Sequence, residues 1–409
     1  MIEWSEQHRQ IRGFVRKFVE AEVAPRREAI EFGDEPPYDV LRKMMQTFGV
    51  GDMAKAQFEK DLAREKAGEV KEKRTGRREK FSQGAADAMA MRIIPIIELS
   101  RYSPGMVTAL GVSMGLTANA IMKRGTIAQK ERFVPELLTL EKVGAWAITE
   151  PGSGSDAFGS MKSTAKRDGD GYVLNGSKTF ITNGPWADTI VFICKLDEGN
   201  PPAERQILSF VLDGDTPGLT KSKPLRKMGL HASPTGELFL EDVKVGKDRL
   251  IGETEGGSRQ GAKSTFTSER TGVAAMALGI VERCLELSLD YARTRVQFGR
   301  PIGEFQLIQL KLAEMQVAKS NIENLVFRLI EMEGWGLSMD IAEASACKLY
   351  CARAAMNVAL EAVQLFGGNG YMAEYQVEQL CRDAKVLQIY GGTDEIQISQ
   401  IARSLLGPN

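Results

Sequence analysis

Two short stretches carry groups able to meet a flat, polar ligand. The first, WAITEPGSGSD (residues 146–156), opens as an apolar run long enough for one strand and then cannot continue it. Pro151 lacks a backbone donor, and Gly152 and Gly154 admit backbone angles barred to other residues. Such a loop exposes N–H groups, to which Ser153, Ser155 and Asp156 add short polar side chains, a surface suited to a phosphate or a polar cofactor edge. The second stretch, GYVLNGSKTFITNG (residues 171–184), brings Thr182 to a strand end beside Asn183-Gly184. Thr149 and Thr182 are thus expected next to turns, where hydroxyls can meet the rim of a ring. Taken as turn chemistry alone, the same block is an ordinary β-meander. His8 and His231 are the only histidines, so a Ser–His–Asp site or a His-rich metal centre is poorly supplied. Carboxylates, amides, hydroxyls or a cofactor must do the chemistry.

The elements that position these groups alternate in kind. Residues 5–30 repeat apolar side chains at helical spacing behind a capping Ser5, with Pro25 expected to kink or end the helix. Residues 38–48 read as a second helix closed by Gly49. Residues 55–80 carry dense charge of both signs and read as a solvated helix laced with i,i+4 pairs. Residues 85–100 and 104–124 read as buried helices. Strand-length runs follow at 146–149, 163–167, 172–174, 179–182, 189–194, 207–212 and 237–245, with turns at 168–171 and Asn175-Gly176, so a separate β domain is expected. His231 reads as an exposed loop residue. One long helix is expected from Ser264 to about Thr294. Glu269, near that start, reads first as a carboxylate facing the helix dipole or paired with Arg270. Beyond it, a cation and a glycine turn opening the next helix (Arg295 to Gln306) can bind a pyrophosphate. Two further helices, 305–330 and 339–365, end on a glycine-rich stop at 364–371.

With 409 residues the chain can hold two or three domains, each with its own core. A formal net charge of −1 gives no bulk field for nucleic acid or an anionic membrane. No apolar run approaches a membrane span, and MIEWSEQHRQ resembles neither a secretory signal nor an Arg-rich transit peptide. Five scattered cysteines (Cys194, Cys284, Cys347, Cys351 and Cys381) point to reduced thiols and a cytoplasmic setting. Cys347 and Cys351, one helical turn apart, suit a packed helix face rather than a metal, and no metal site is expected.

The order of the motifs narrows this reading. TEPGSGSD followed by N-G-x-K-x-F-I-T-N-G, and then R-x-x-F-G-x-x-I-x-x-x-Q (Arg295, Phe298, Gly299, Ile302, Gln306), resembles the acyl-CoA dehydrogenase flavoproteins. The resemblance implies an α+β fold: an N-terminal helical domain (1–143), a middle β-barrel or sandwich domain (144–255) and a C-terminal helical bundle (256–409). It implies FAD as cofactor, held by Trp146, Ile148, Thr149, Ser155, Phe180, Ile181 and Thr182. From a neighbouring chain it adds Arg295 and Gln306, with Phe298 a further cofactor contact, Gln364, Gly367 and Gly368 near the adenosine diphosphate, and Thr393 and Glu395 at positions that contact FAD. Ser155, Thr267, Arg270, Tyr390, Gly391 and Gly392 would face an acyl-CoA substrate. A homo-oligomer, commonly a tetramer, and an electron-transfer flavoprotein as electron acceptor are also implied, within fatty-acid β-oxidation.

One residue departs from the pattern. Many members place a catalytic glutamate where this chain has Gly391. A minority, including the isovaleryl-CoA and long-chain enzymes, carry it at the position matching Glu269, which is therefore expected to be the base. An α-proton would leave to Glu269 and a β-hydride to flavin N5, giving a trans-2-enoyl-CoA. The rival readings are a CoA-linked enoyl reductase, a flavin oxidase or monooxygenase, and an inactive binding protein on the same fold.

Overall fold

A computed structural model of the protein describes residues 3–33, 35–69 and 78–407, with the backbone alone for 259–268. Helix α1 (Glu6–Phe18) starts where Ser5 Oγ accepts the His8 N–H at 3.2 Å. Pro25 distorts the chain rather than ending it: residues Val19–Val23 widen to a π turn and Ala24–Arg26 tighten to a 3₁₀ turn before α2 (Arg27–Phe32). Helix α3 (Tyr38–Phe48) closes on Gly49 at φ +61°, as its glycine suggested.

The charged stretch is not simply solvated. In α4 (Val50–Lys66), Phe58 and Leu62 are buried in one core with Ile121, Phe133 and Val134. Ion pairs also run across to α8 (Ile127–Leu138), Lys66 with Glu131 and Lys130 with Glu65, each at 2.5 Å. Residues 70–77 of that stretch lie outside the described residues.

Helix α5 (Gln83–Ser100) is followed by α6 (Pro104–Leu110), a π turn (Gly111–Ala118) and α7 (Asn119–Arg124). Together Pro104–Arg124 is long and apolar enough to cross a membrane, which corrects the expectation that no such run exists. Here it packs against the sheet: Ser113, Thr117, Ala118 and Ile121 are buried, and Ser113 Oγ accepts the Gly144 N–H at 2.9 Å.

Seven strands form one sheet: β1 (Gly144–Ala147), β2 (Thr164–Asp168), β3 (Gly171–Thr182), β4 (Thr189–Leu196), β5 (Ile207–Asp213), β6 (Leu219–Lys221) and β7 (Thr235–Gly246). β4 is buried along its whole length, as its unbroken apolar run requires. One edge of β4 pairs antiparallel with β5. Along the other edge lie β1, against Thr189–Phe192, and then β2, against Lys195 and Leu196, both parallel. The chain therefore leaves the sheet after β1, makes the glycine-rich excursion, and returns to the same edge. β2, β3, β7 and β6 continue antiparallel. Asn175-Gly176 is a bulge inside a continuous β3 and not the expected turn, because the β3–β7 register slips between Leu174 and Gly176. Ala145, Ala147, Leu174, Phe192, Phe210 and Leu240 enclose a core built almost wholly from the sheet's own strands, so the sheet curls on itself. Its other face meets α7 and α8 through Trp146, Ile148 and Val191.

α9 (Ser258–Thr294) leads through the short ribbon β8 (Val296–Gln297) and β9 (Arg300–Pro301) to α10 (Gln306–Gly334), α11 (Ile341–Phe366), α12 (Gln376–Val386) and α13 (Asp394–Leu406). α9 to α12 and α1, α3 and α5 share one continuous hydrophobic core, so the terminal helical blocks do not have separate ones. Gly279 makes this close: a Cβ there would sit 2.2 Å from Ile97 O of α5. Cys347 and Cys351 are both buried on α11, and no cluster of metal-ligating side chains occurs among the described residues.

His231 is half-buried at a junction, not a free loop residue. Its Nδ1 lies 2.6 Å from Glu31 O and 3.3 Å from a Glu31 carboxylate oxygen, and its Nε2 lies 2.9 Å from Lys227 O. Both ring nitrogens face oxygen acceptors, so the doubly protonated ring is favoured, and the hydrogen bond to Glu31 raises its pKa to about 9. A raised folded-state pKa contributes stability that is complete below the unfolded value near 6.5 and is lost as pH rises through about 9. His231→Gln is expected to cost roughly 1.5–3 kcal/mol at pH 6, the range for a hydrogen bond to a charged group. Denaturant unfolding should show the variant converging on the parent by pH 10; an equal deficit at both pH values would refute a contribution from the protonated ring.

Candidate functional site

The glycine-rich excursion after β1 is fastened by buried charge. Lys178 of β3 is fully buried and donates from Nζ to Ile148 O at 3.1 Å and to Glu150 Oε1 at 2.8 Å. The Glu150 carboxylate also accepts the N–H groups of Lys162 at 2.6 Å and Ser163 at 2.9 Å. Burial pushes the Glu150 pKa up, but Lys178 and these donors outweigh it and hold the carboxyl below its ordinary range. Lys195 of β4, also buried, reaches Gly159 O at 2.8 Å. Within the loop, Ser153 Oγ donates to Asp156 O and the Asp156 carboxylate accepts from Gly159 and Ser160. Ser155 stays exposed. Sequence reasoning picked out the loop but not its three fasteners. The only signal was their place inside the two motifs or an apolar strand.

Thr182 ends β3 as expected, whereas β1 already stops at Ala147, so Thr149 lies two residues beyond the strand, where its O accepts the Thr179 N–H at 2.9 Å. Between Lys178 and Ile181 the register with β7 slips again, and Phe180 swings out of the sheet at φ +56° with 68% of its surface exposed. A large aromatic held out in the left-handed region marks a site that the fold sustains against strain. Trp146, Ile148 and Ile181 pack their side chains into the cores. Asn183 is buried, with Nδ2 donating to Ala109 O and Gly144 O, each at 2.9 Å, and Oδ1 accepting from Tyr38 OH at 3.0 Å. It ties the end of β3 to α6.

Glu269 is carried by α9, which starts at Ser258 rather than Ser264. The residue therefore lies roughly three turns inside the helix, beyond reach of the first-turn dipole effect. Its carboxyl abuts Gly391: a Cβ built on that glycine, at φ +62°, would lie 3.4 Å from Glu269 Cδ and 3.5 Å from Oε1. The carboxyl thus occupies the space where a side chain at 391 would begin. Burial raises the Glu269 pKa to about 7, opposed by the charges of Arg270 and Lys348. Among the described residues Arg270 forms no direct ion pair with it. Its guanidinium is buried and donates from Nη1 to Ser345 Oγ of α11 at 3.2 Å. Tyr390 OH donates to Met276 Sδ at 3.3 Å, and burial holds its phenol well above the ordinary range, with Thr108 of α6 as a hydrogen-bonding neighbour. α6 thereby stands between the two groups, touching Tyr390 through Thr108 and Asn183 through Ala109. Thr393 caps α13 and Glu395 is exposed on its first turn. The Thr267 side chain lies outside the described residues.

Arg295, Phe298, Gln306, Gln364, Gly367 and Gly368 gather elsewhere. Tyr291 stacks on Phe366 at 4.0 Å, and Asn369 Nδ2 donates to Tyr291 OH at 3.0 Å, which sets the end of α11 beside the end of α9. Phe298, at the tip of the β8–β9 ribbon, is 93% exposed at φ +51°. From Glu269 to Thr294 the helix rises about 37 Å at about 1.5 Å per residue, so the two groups are set that far apart along α9. Leu307, Leu310 and Val317 leave an exposed apolar stripe on α10.

Models of the acyl-CoA dehydrogenase N-terminal, middle and C-terminal domains match residues 52–141, 145–243 and 259–406. An acyl-CoA dehydrogenase of Bacillus subtilis (strain 168) is 38% identical over 397 residues, 97% of each chain. A 3-(aryl)acrylate reductase of Clostridium sporogenes (strain ATCC 15579) is 35% identical over 98% of this chain and 99% of its own. The structure of butyryl-CoA dehydrogenase from Megasphaera elsdenii superimposes with a TM-score of 0.85 at 34% identity, covering both chains fully.

Lys178→Met leaves Glu150 buried without its cation and is expected to cost about 3–5 kcal/mol. Adding Glu150→Gln should recover part of that loss in denaturant unfolding. Strict additivity of the two changes would refute the pairing.

Proposed function

Because the chain belongs to the acyl-CoA dehydrogenase family, an FAD-dependent family of oxidoreductases, we propose that it desaturates an acyl-CoA thioester between Cα and Cβ with Glu269 as the base. The observation that carries this is the Glu269 carboxyl set against Gly391. The chain offers groups that fit FAD: the fastened loop with exposed Gly152, Gly154 and Ser155, the outward Phe180, and Gly367 and Gly368, above which a Cβ would meet nothing within 4 Å. Trp146, Ile148, Thr149, Ser155, Phe180, Ile181 and Thr182 would hold the flavin, with Thr393 and Glu395 toward its other end. When bound, the flavin supplies the acceptor for the β-hydride. The protein does the rest. A thioester carbonyl polarised by backbone N–H at Gly391 acidifies the α-carbon, and Glu269 takes the proton. Ser155, Thr267, Arg270, Tyr390 and Gly392 complete the substrate side. A carboxylate whose pKa is lifted by burial is a stronger base than one in water.

Since one chain sets Arg295, Phe298, Gln306, Gln364 and Gly367–Gly368 at the far end of α9, these would serve the flavin of a second copy. The exposed stripe of α10 supports such an association, and a tetramer is the proposed assembly. The proposed divisions are 1–143, 144–255 and 256–409, the electron acceptor an electron-transfer flavoprotein, and the compartment the cytoplasm. A second reading, enoyl reduction, is favoured by the arylacrylate reductase relative; it would run the same proton and hydride positions in reverse.

Anaerobic bleaching of bound flavin by a panel of acyl-CoAs tests the reading and separates it from reduction of aryl- or alkyl-acrylyl thioesters. The bleaching rate is expected to rise with pH through about 7 as Glu269 ionises. Glu269→Gln should retain flavin and lose bleaching by at least about 10³-fold; unchanged bleaching would remove Glu269 from the mechanism. Arg295→Ala is expected to lower flavin content after gel filtration, and full retention there would count against the two-copy site.

A further inference from the structure

Both carbonyls of the Gly391–Gly392 turn are held from behind. Gln397, fully buried on the first turns of α13, donates from Nε2 to Gly391 O at 3.0 Å and to Gly392 O at 2.7 Å. Lys348, fully buried on α11, donates from Nζ to Gly392 O at 2.8 Å, with Asp394 Oδ1 3.8 Å away to balance its charge. Arg353 Nε donates to the second Asp394 oxygen at 2.9 Å. An amide reversed end for end would set its oxygen against two carbonyl oxygens, so the surroundings fix which end of Gln397 faces the turn. The fit leaves no spare room: a Cβ on Gly392, at φ +91°, would lie 2.7 Å from Gln397 Nε2.

Two adjacent glycines at positive φ have no side chains to hold them and lose more conformational freedom on ordering than any other pair. Each planar peptide carries its C=O and N–H on opposite sides. Fixing the carbonyls of Gly391 and Gly392 therefore aims the N–H groups of Gly392 and Thr393 away from α11 and α13. It also pins the Gly391 Cα against the Glu269 carboxyl. We infer that Gln397, seconded by Lys348, is a positioning residue of the reaction: by holding the carbonyl side of Gly391 it keeps in place the residue whose own N–H polarises the substrate carbonyl beside the base. This rests on the acyl-CoA reading above, and goes beyond it in naming what keeps the carbonyl's partner in place. Gln397 itself touches no reacting atom.

The test uses flavin-loaded protein and a chromophoric probe, 4-(dimethylamino)cinnamoyl-CoA, whose absorption band moves to the red when its thioester carbonyl is polarised. The parent protein is expected to bind it with a red shift. Gln397→Leu should bind it within about threefold of the parent affinity while losing most of the shift, and kcat should fall about 10- to 100-fold with little change in KM. Gln397→Glu, whose carboxylate would face two carbonyl oxygens, should lose the shift as well. A full shift and parent kcat in Gln397→Leu overturn the assignment. If that variant fails to retain flavin, Gln397→Asn replaces it: one methylene shorter, it cannot reach both carbonyls, and a full shift there overturns the assignment equally. A parent protein that binds the probe without a shift, or not at all, sinks the acyl-CoA reading itself, whereas a shift shared by parent and variants sinks only the role of Gln397.

Discussion

A base can take a proton from the carbon beside a carbonyl only if it and the carbonyl's hydrogen-bonding partner share a few ångströms. Here the condition is met by subtraction. Gly391 has no side chain, and the Glu269 carboxyl lies where one would begin. The two residues are far apart in sequence, and α11 brings them together. Its Ser345 takes the guanidinium of Arg270, next to the base, and its Lys348 takes the carbonyl of Gly392, next to the glycine. Three residues apart on one helix, these two side chains sit on neighbouring turns. The buried face of α11 thus sets the distance between α9 and the turn that opens α13, and the shared helical core keeps it.

That carboxyl also explains the direction in which its proton affinity moves. Burial dominates and lifts the pKa to about 7, while Arg270 and Lys348 limit the rise. Arg270 donates to Ser345 and Lys348 to Gly392 O, and among the described residues neither forms a direct ion pair with Glu269 that would quench the base. A tight pair would leave a weaker base, since a carboxylate stabilised by contact gains less from taking a proton.

The sequence exposed those features that rest on local chemistry. Apolar runs located the strands, Ser5 and Gly49 bounded their helices, and the order of two motifs with one missing glutamate directed attention to Glu269. What it hid depends on distant partners. Asn175-Gly176 and Asn183-Gly184 are the same dipeptide. The first is absorbed as a bulge because β7 continues alongside it, and the second turns its amide inward to join α6, β1 and α3. His231 looked idle because its acceptor, Glu31, is two hundred residues away. The charged helix α4 looked solvated because the apolar surface it covers belongs to α7 and α8. The start of α9 was placed too late, since Gly256-Gly257 reads as an exit from the sheet while the helix begins immediately after it.

Three lysines show the same limit from the other side. A lysine in a sequence is ordinarily read as a solvated charge, yet Lys178, Lys195 and Lys348 are all buried, and each holds a main-chain carbonyl: Ile148, Gly159 and Gly392. Each of those carbonyls lies in or beside a segment with no ladder of its own, where glycine grants the backbone the angles it needs but nothing to hold them. Burying an ammonium is costly unless its donors are used, and here the donors are spent on backbone that would otherwise wander. Lys178 and Lys348 each keep a carboxylate nearby, Glu150 and Asp394, so the charge is balanced within the protein. The glycine-rich loop and the double-glycine turn are therefore not flexible hinges. They are irregular backbone made rigid by buried cations, which lets N–H groups be presented to a ligand without regular secondary structure beneath them.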